Sequence, residues 1–164
     1  QYAIYIYQSG LSLPDEAYYR EEQYAPIREA FLDHVTPDDM RMRFFTPAKS
    51  LSHATIARLT QIDYRREMAF VALDKTTGAL LGVARMMADP DYQKGEFAVL
   101  VASDLKGQGL GRRLMQQLIT YATEEGLNEL SGLVLEENHN MLDFIKKYFQ
   151  KQKSSKVTLE IQLF

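Results

Sequence analysis

The spacing of apolar side chains predicts one short strand followed by helices in the first third of the chain. Tyr2–Tyr7 alternates as an aromatic strand. Over residues 26–35 the apolar positions recur with the 3.6-residue period of an amphipathic helix, and Thr36 is placed to cap the helix that follows. A further helix is expected over residues 56–62. The first third is therefore expected to be mostly helical.

Beyond residue 63 the pattern changes to alternating strands and helices. Residues 68–73 and 79–87 flank a polar turn and predict a β-hairpin. The later elements are expected to be a strand over 95–101, a helix over 110–122, a strand over 130–135, a helix over 138–149 and a strand over 157–163. This order predicts an α/β (α+β) fold in which one sheet is flanked by helices.

Composition narrows the class of protein. The chain has 164 residues, of which 46% are hydrophobic, and this fits a single domain over residues 1–164 with a sizeable core. The net charge of -3 gives no basic field for nucleic acid or an anionic membrane surface, so neither is an expected partner. No apolar run approaches the roughly 20 residues that span a bilayer, and we expect a cytoplasmic protein. Because the chain begins at Gln1 without Met, we expect it to be a fragment of a longer chain.

The absence of cysteine excludes several kinds of site. The sequence has no Cys, which excludes disulfides, thiolate zinc sites and a cysteine nucleophile. The three histidines lie too far apart in sequence to form a local metal motif, so no metal is expected.

Three glycines stand between a predicted strand and a predicted helix. Gly107, Gly109 and Gly111 let the backbone turn tightly and approach a ligand, and the free N–H groups at the helix start point to the same place. Such a loop suits a phosphate, with Arg112 or Arg113 nearby. The spacing fits neither a P-loop nor a dinucleotide-binding fingerprint. Glycine content alone leaves a second interpretation open, a flexible turn that merely caps the helix.

Residues 106–111, here called the glycine loop, resemble motif A of the GNAT superfamily of N-acetyltransferases, written (Q/R)-x-x-G-x-(G/A). Lys106 stands where Gln or Arg is usual. The resemblance implies that the loop cradles the diphosphate of acetyl-CoA and that the splayed strand before it pairs with the pantetheine arm. The residues that it places at the cofactor are Val99, Leu100, Val101, Lys106, Gly107, Gln108, Gly109, Leu110, Gly111, Arg112 and Asn138. Asn138 is also a simple helix N-cap.

A wider resemblance covers residues 26–142 and is to the acetyltransferase domain of bacterial Pat-type protein lysine acetyltransferases. Its segments are residues 43–45, 59–64, 66–72, 81–85 and 96–101. It implies a GNAT fold, a twisted mixed and mostly antiparallel sheet flanked by helices, and transfer of an acetyl group to the ε-amine of a lysine on a protein. An acyl-CoA synthetase is an implied substrate protein, and a fused upstream synthetase-like domain is an implied neighbour. The chain departs from the family pattern in lacking a Leu-Gly-Phe at the end of its last helix and in having a shorter region before Pro26.

Amine acetylation requires a base, because a lysine of pKa about 10.4 is deprotonated in roughly one molecule in 2,500 at pH 7. A carboxylate on a partly buried strand is suited to this, since burial favours its protonated form. Glu96 is the candidate and shares a strand face with Ala98 and Leu100. It matches the Glu that the resemblance implies is the general base. The alternative is a surface glutamate opposing a cross-strand cation such as Arg85.

The sequence says less about the route of attack, the stabilisation of the intermediate and the general acid. With no Cys and no G-x-S-x-G motif, direct attack on bound acetyl-CoA is preferred, and backbone N–H groups near residues 99–101 are candidates to stabilise the intermediate. Ile145 takes the position where family members usually have a tyrosine as the general acid. Tyr148 is either that acid or a side chain that only packs in the core, so the acid stays unassigned. Five aspartates could form an acidic rim for a lysine-bearing protein or a solvated surface, namely Asp38, Asp39, Asp63, Asp89 and Asp91.

Three alternatives stay open at this point. The same chemistry could act on a small amine, the domain could sense acyl-CoA without turnover, or it could be a structural interaction module.

Overall fold

The computed structural model describes residues 2–7, 30–44, 66–134, 136, 138–151 and 157–163. Within these residues the strands are β1 (Tyr2–Tyr7), β2 (Glu67–Asp74), β3 (Leu80–Ala88), β4 (Lys94–Val101), β5 (Glu129–Val134) and β6 (Thr158–Leu163). The helices are α1 (Pro37–Phe44), α2 (Leu110–Glu124) and α3 (His139–Lys151), with a 3₁₀ turn at Ser103–Leu105.

The strands form one mixed sheet in the order β1-β2-β3-β4-β5-β6. The pairs from β1 to β4 are antiparallel, whereas β4–β5 and β5–β6 are parallel. The β4–β5 pair is short, because it ends at Glu96 opposite Ser131 while β4 continues to Val101. The two strands therefore part in the middle of the sheet.

Alternation of side chains along the strands divides the core into two layers. One face of the sheet packs on α2 and α3, and the members of this cluster include Phe70, Met86, Phe97, Leu114 and Leu118. The opposite face packs on residues 30–32 and α1, and its members include Phe31, Val35, Met40, Val71 and Val83. Leu100 belongs to this second layer, so Glu96 and Ala98 point to the α1 side of the sheet.

A contact between an aromatic ring and a glycine lies at the point where β4 and β5 separate. A Cβ atom added to Gly132 would lie 2.6 Å from Cζ of the buried Phe97. The ring therefore fills the space that a side chain on β5 would need. Phe97 therefore packs over Gly132, on the face of the sheet that α2 and α3 cover, just beyond the last pair of the two strands.

Most predicted elements are confirmed with boundaries shifted by one or two residues, including the hairpin, Thr36 as the α1 cap and the helix after the glycine loop. The helix predicted over residues 26–35 is wrong at its end, since residues 33–35 form turns. Two hydrogen bonds here join residues three apart, as in a 3₁₀ turn: His34 N donates to Phe31 O, and Val35 N donates to Leu32 O. In addition, Pro37 disfavours helical backbone at Thr36. The helix predicted over residues 56–62 lies outside the described residues.

None of the helices in the described ranges is long and apolar enough to cross a membrane.

Candidate active site

A cleft with a volume of about 960 Å³ opens where β4 and β5 part. One half is bounded by the end of β4, the glycine loop and the first turn of α2. The other half is bounded by α1 and by residues of β2, β3 and β5. The first turns of α3 line it as well. The cleft therefore joins the glycine loop to Glu96.

The backbone of β4 turns unpaired peptide groups toward the gap. Ala102 N–H donates to Leu81 O at 2.9 Å, and bonded and non-bonded pairs alternate along an antiparallel ladder. The peptide groups of Val99 and Val101 consequently face away from β3, on the side where β5 has separated. They are free to bond an extended ligand that takes the place of a strand.

The glycine loop is open on its outer side. Gly107 and Gly109 have φ of +78° and +85°, and a Cβ atom on either would meet nothing within 4 Å. Gly109 is the N-cap of α2, whose first helical bond runs from Arg113 N to Gly109 O at 3.1 Å. Within the described part of the chain, no protein group accepts a hydrogen bond from the N–H groups of residues 107–112. Several donors at the positive end of a helix are thus available to an anion.

Gly111 lies beside the end of β4. A Cβ atom there would lie 3.5 Å from Cγ2 of Val101, an ordinary contact, so the packing does not require glycine at this position. The first turn of α2 nevertheless lies near the strand whose peptide groups face the gap. The loop and the strand therefore border one continuous part of the cleft.

The Lys106 ammonium is bonded to a carboxylate of α1. Lys106 Nζ donates to Asp39 Oδ1, and Ser103 Oγ donates to Asp39 Oδ2 at 2.5 Å. Burial by itself would raise the pKa of Asp39, but these two hydrogen bonds and the Lys106 charge hold it below its ordinary value. Asp39 is 8% exposed, so its expected place on an acidic rim is wrong. The carboxylate can be buried because Ser103 and Lys106 both donate hydrogen bonds to it.

Two other members of the expected rim stabilise local structure. Asp89 Oδ1 accepts hydrogen bonds from the N–H groups of Gln93 and Lys94 at 2.8 and 3.1 Å. Asp38 is exposed and pairs with Arg41 at 3.0 Å. Asp63 lies outside the described residues.

Glu96 is exposed at the inner end of the cleft. A partly buried strand position was expected, and this is wrong because the pairing of β4 with β5 ends at Ser131. The cross-strand neighbour of Glu96 on β3 is Met87. The opposing cation suggested as an alternative, Arg85, is opposite Ala98 and has its Nη2 atom 3.6 Å from Glu67 Oε2.

Arg43 brings a second guanidinium to this half of the cleft. Burial and, to a smaller extent, the nearby charge of Arg85 lower its pKa to about 10, while the charge of Glu96 opposes the shift. Arg43 therefore stays protonated at neutral pH, close enough to Glu96 to interact with its charge. Sequence reasoning did not single out Arg43 or Glu67 as site residues, because only the fold brings α1 and β2 beside β4.

The structure brings the remaining sequence-predicted residues together with one exception. Those that line the cleft with Glu96 are Val99, Leu100, Val101, Lys106, Gly107, Gly109, Leu110, Gly111, Arg112 and Asn138. Gln108 is exposed and lies outside the lining. Asn138 also caps α3, since Met141 N donates to Asn138 Oδ1 at 3.3 Å.

Tyr148 lies in the core and not among the residues that line the cleft. Burial raises the pKa of its hydroxyl, and the Gln116 side chain opposes part of this rise. Even so, no hydrogen-bond partner lies within bonding distance of that hydroxyl in the described part of the chain. Simple packing, one of its two interpretations, is the one that this geometry favours.

A cluster of His, Cys, Asp or Glu that could hold a metal ion is absent from the described residues.

Comparison with known proteins identifies the family. Residues 29–149 match the family model described as Acetyltransferase (GNAT) family. The chain is 34% identical over 126 residues to an acetyltransferase of Pseudomonas aeruginosa, covering 76% of this chain and 67% of that protein.

Solved structures share the fold. The crystal structure of the GNAT domain of S. lividans PAT superposes with a TM-score of 0.68 at 23% identity, covering 75% of this chain and 73% of that one. The spermidine N-acetyltransferase from Vibrio cholerae, in complex with CoA and spermine, gives a TM-score of 0.61 at 18% identity and covers 90% and 79%. The expected GNAT fold and the expected cosubstrate are confirmed. The chain belongs to the acetyltransferase (GNAT) family, and it is an N-acetyltransferase that uses acetyl-CoA.

Proposed function

We propose that this acetyltransferase transfers the acetyl group to the ε-amine of a lysine side chain on a protein, with Glu96 as the general base. The observation that carries the proposal is the position of Glu96. Its exposed carboxylate lies in the cleft, at the last pair of β4 with β5 and next to the unpaired peptide groups of β4. A base at this point can reach both a bound thioester and an entering amine.

Acetyl-CoA would occupy the half of the cleft that the glycine loop borders. The free N–H groups of residues 107–112 and the exposed Arg112 would bind the diphosphate. The pantetheine arm would bond the peptide groups of Val99 and Val101 in the gap left by β5. Leu110 would contribute its backbone N–H group, and Asn138 would contact the cosubstrate from the start of α3. Leu100, whose peptide groups face Val83 on β3, would only line the cleft. Gln108 would approach it only from the outer side of the loop.

The reaction would be a direct displacement. The amine nitrogen attacks the thioester carbonyl carbon as Glu96 accepts a proton from the amine, and a C–N bond forms. Backbone N–H groups of β4 at the gap would stabilise the negative oxygen of the tetrahedral intermediate. Collapse of the intermediate breaks the C–S bond and releases CoA. The proton donor to the CoA sulfur is left unassigned.

The surroundings of Glu96 support an acceptor with an aliphatic stem. Met87 on β3 is 50% exposed and Leu133 on β5 is 44% exposed, and both line the cleft on the strands that flank Glu96. Exposed apolar side chains at such a place are typical of a binding surface. They can cover the methylene groups of a lysine whose amine reaches the carboxylate. The Pat-type resemblance of the sequence and the fold shared with the S. lividans PAT domain agree with this proposal.

A transfer assay with a lysine peptide and the Glu96→Gln variant tests the proposal. We expect turnover to fall by about 10²- to 10⁴-fold, since a positioned base contributes that much, while the affinity for acetyl-CoA stays unchanged. Glu160→Gln makes the same replacement at an exposed position of β6 and serves as the control. Wild-type turnover in Glu96→Gln would remove Glu96 from the mechanism.

The choice of acceptor is tested separately. We expect kcat/KM to be higher for a lysine peptide than for spermidine. The opposite order would contradict the protein substrate and would favour a small amine.

A further inference from the structure

A polar cluster joins α1 to the start of the glycine loop. Its centre is Asp39, which accepts hydrogen bonds from Ser103 Oγ and Lys106 Nζ. Ser103 makes two further bonds to the segment before α1. Its Oγ accepts from Thr36 N at 2.9 Å, and its own N–H donates to His34 O at 3.0 Å. The segment between the end of β4 and the loop is thus bonded to α1 through Asp39 and to the residues before α1 through His34 and Thr36.

Among the described residues, Asp39 is the one polar or charged residue that is buried, with 8% of its surface exposed. A buried carboxylate is strongly destabilising unless it is paired and hydrogen-bonded. Both its oxygens are satisfied, one by Ser103 and one by Lys106. Removing either partner would leave a buried acceptor unsatisfied, so the geometry of residues 103–106 depends on this carboxylate.

The charge balance of the cluster bears on the anion that the loop would hold. An unpaired carboxylate at this place would repel a diphosphate, whereas the Lys106–Asp39 pair carries no net charge. With its ammonium bonded to Asp39, Lys106 has its charge already compensated. The attraction for an anion then comes from the free N–H groups of the loop and from the exposed Arg112.

The same helix also reaches the other half of the cleft. Met42 and Arg43, one turn after Asp39 on α1, line the part that contains Glu96. Asp39 therefore connects the glycine loop to the helix that borders the acceptor half.

We propose that Asp39 is a positioning residue for the glycine loop, acting through Lys106 and Ser103, and that the Lys106 ammonium serves Asp39 and not the diphosphate. This rests on the proposed binding of the diphosphate by the loop. It makes the pair Asp39–Lys106 one functional unit, although 67 positions separate the two residues in sequence.

A double-mutant cycle measured by calorimetric titration with acetyl-CoA tests the unit. We expect Asp39→Asn and Lys106→Met each to weaken binding by about tenfold, and the double variant to bind about as weakly as either single one, because contacting residues are not additive. Asp38→Asn, the exposed neighbour on α1, is the matched control and should bind as the wild type does. Thermal unfolding of every variant checks that it is folded.

Salt dependence separates positioning from direct contact. A cation that binds a phosphate makes the affinity sensitive to salt, so Arg112→Met should reduce that sensitivity. The double variant Asp39→Asn, Lys106→Met removes both charges of the pair without a change in net charge, so it should keep the salt sensitivity of the wild type. If Asp39→Asn does not fold, Ser103→Ala replaces it, since it removes the 2.5 Å bond and leaves the ion pair. We expect that variant to bind acetyl-CoA several-fold more weakly than the wild type.

Three results would overturn the proposal. They are weakened binding in Lys106→Met with wild-type binding in Asp39→Asn or Ser103→Ala, effects that multiply in the double variant, and reduced salt sensitivity in the double variant. These differ from failure of the proposed function. Lack of lysine-peptide acetylation would contradict the acceptor but leave the binding cycle intact, and failure of the wild type to bind acetyl-CoA at the loop would contradict the loop assignment itself.

Discussion

Glu96 and Ser131 are the last residues at which β4 and β5 pair, and the cleft opens beyond that pair. Beyond it β4 keeps its bonds to β3 but loses those to β5, which frees the peptide groups of Val99 and Val101. The carboxylate of Glu96 is exposed at the same place. One break in a sheet thus provides both a strand-like binding edge and an accessible base.

The packing of the Phe97 ring on Gly132 should contribute to the stability of the fold. In Gly132→Ala the new methyl group would lie 2.6 Å from the Phe97 ring, so we expect a loss of about 1–3 kcal/mol in the free energy of unfolding. Urea denaturation measures it. Adding Phe97→Leu should restore part of the loss by making room. An additive double variant would show that the ring and the methyl group do not compete for the space.

The left-handed backbone of the glycine loop should matter for binding as well as for stability. Gly109→Ala places a side chain at φ +85°, and we expect a loss of about 1–2 kcal/mol in stability and weaker acetyl-CoA binding by about tenfold. Gly78→Ala imposes the same kind of strain at φ +72° in the β2–β3 turn, away from the cleft. It should lose stability and keep its affinity. Equal affinities in the two variants would contradict the role of the loop.

Acid should weaken the fold partly through Asp39. The pKa of this carboxyl is lowered in the folded chain from its ordinary value of 3.8, so its contribution to stability is present above pH 3.8 and is lost as the pH falls through the folded value. Backbone hydrogen bonds from Thr77 and Thr76 lower the pKa of Asp74, which acts in the same pH window. We expect the urea-unfolding free energy to fall less between pH 6 and pH 3 in Asp39→Asn than in the wild type. An equal fall in both proteins would argue against the shift.

Tyr148 should have no catalytic role. Its hydroxyl is buried away from the cleft and lacks a close hydrogen-bond partner in the described part of the chain, so Tyr148→Phe should leave turnover unchanged and should not destabilise the fold. Steady-state kinetics with a lysine peptide measures this. A hundredfold fall in kcat at unchanged acetyl-CoA affinity would instead identify Tyr148 as the acid.

Local patterns were enough to predict the strand, the glycine loop and the helix that border the cofactor half of the cleft. Alternation over β4, three glycines and the apolar face of α2 are all contained within residues 94–124. The helix end near Val35 was wrong because the turns before Pro37 override the apolar period. The exposure of Glu96 was also wrong, since the end of β4–β5 pairing depends on contacts between segments distant in sequence.

The burial of Asp39 could not be read from sequence for the same reason. Asp39 follows Asp38 in a polar segment that is typical of an exposed surface. Nothing in the neighbouring residues indicates that Ser103 and Lys106 will bond its carboxylate. Arg43 joined the site only when α1 packed beside β4.

An amide-resolved NMR titration with acetyl-CoA tests the central claim most directly, because it observes the proposed diphosphate donors themselves. Saturable shifts should appear at the amides of Gly107, Gly109 and Gly111, while Gly78 and Gly126, which also have positive φ but do not line the cleft, stay unmoved. Saturation of binding with the three loop amides unshifted would contradict the account.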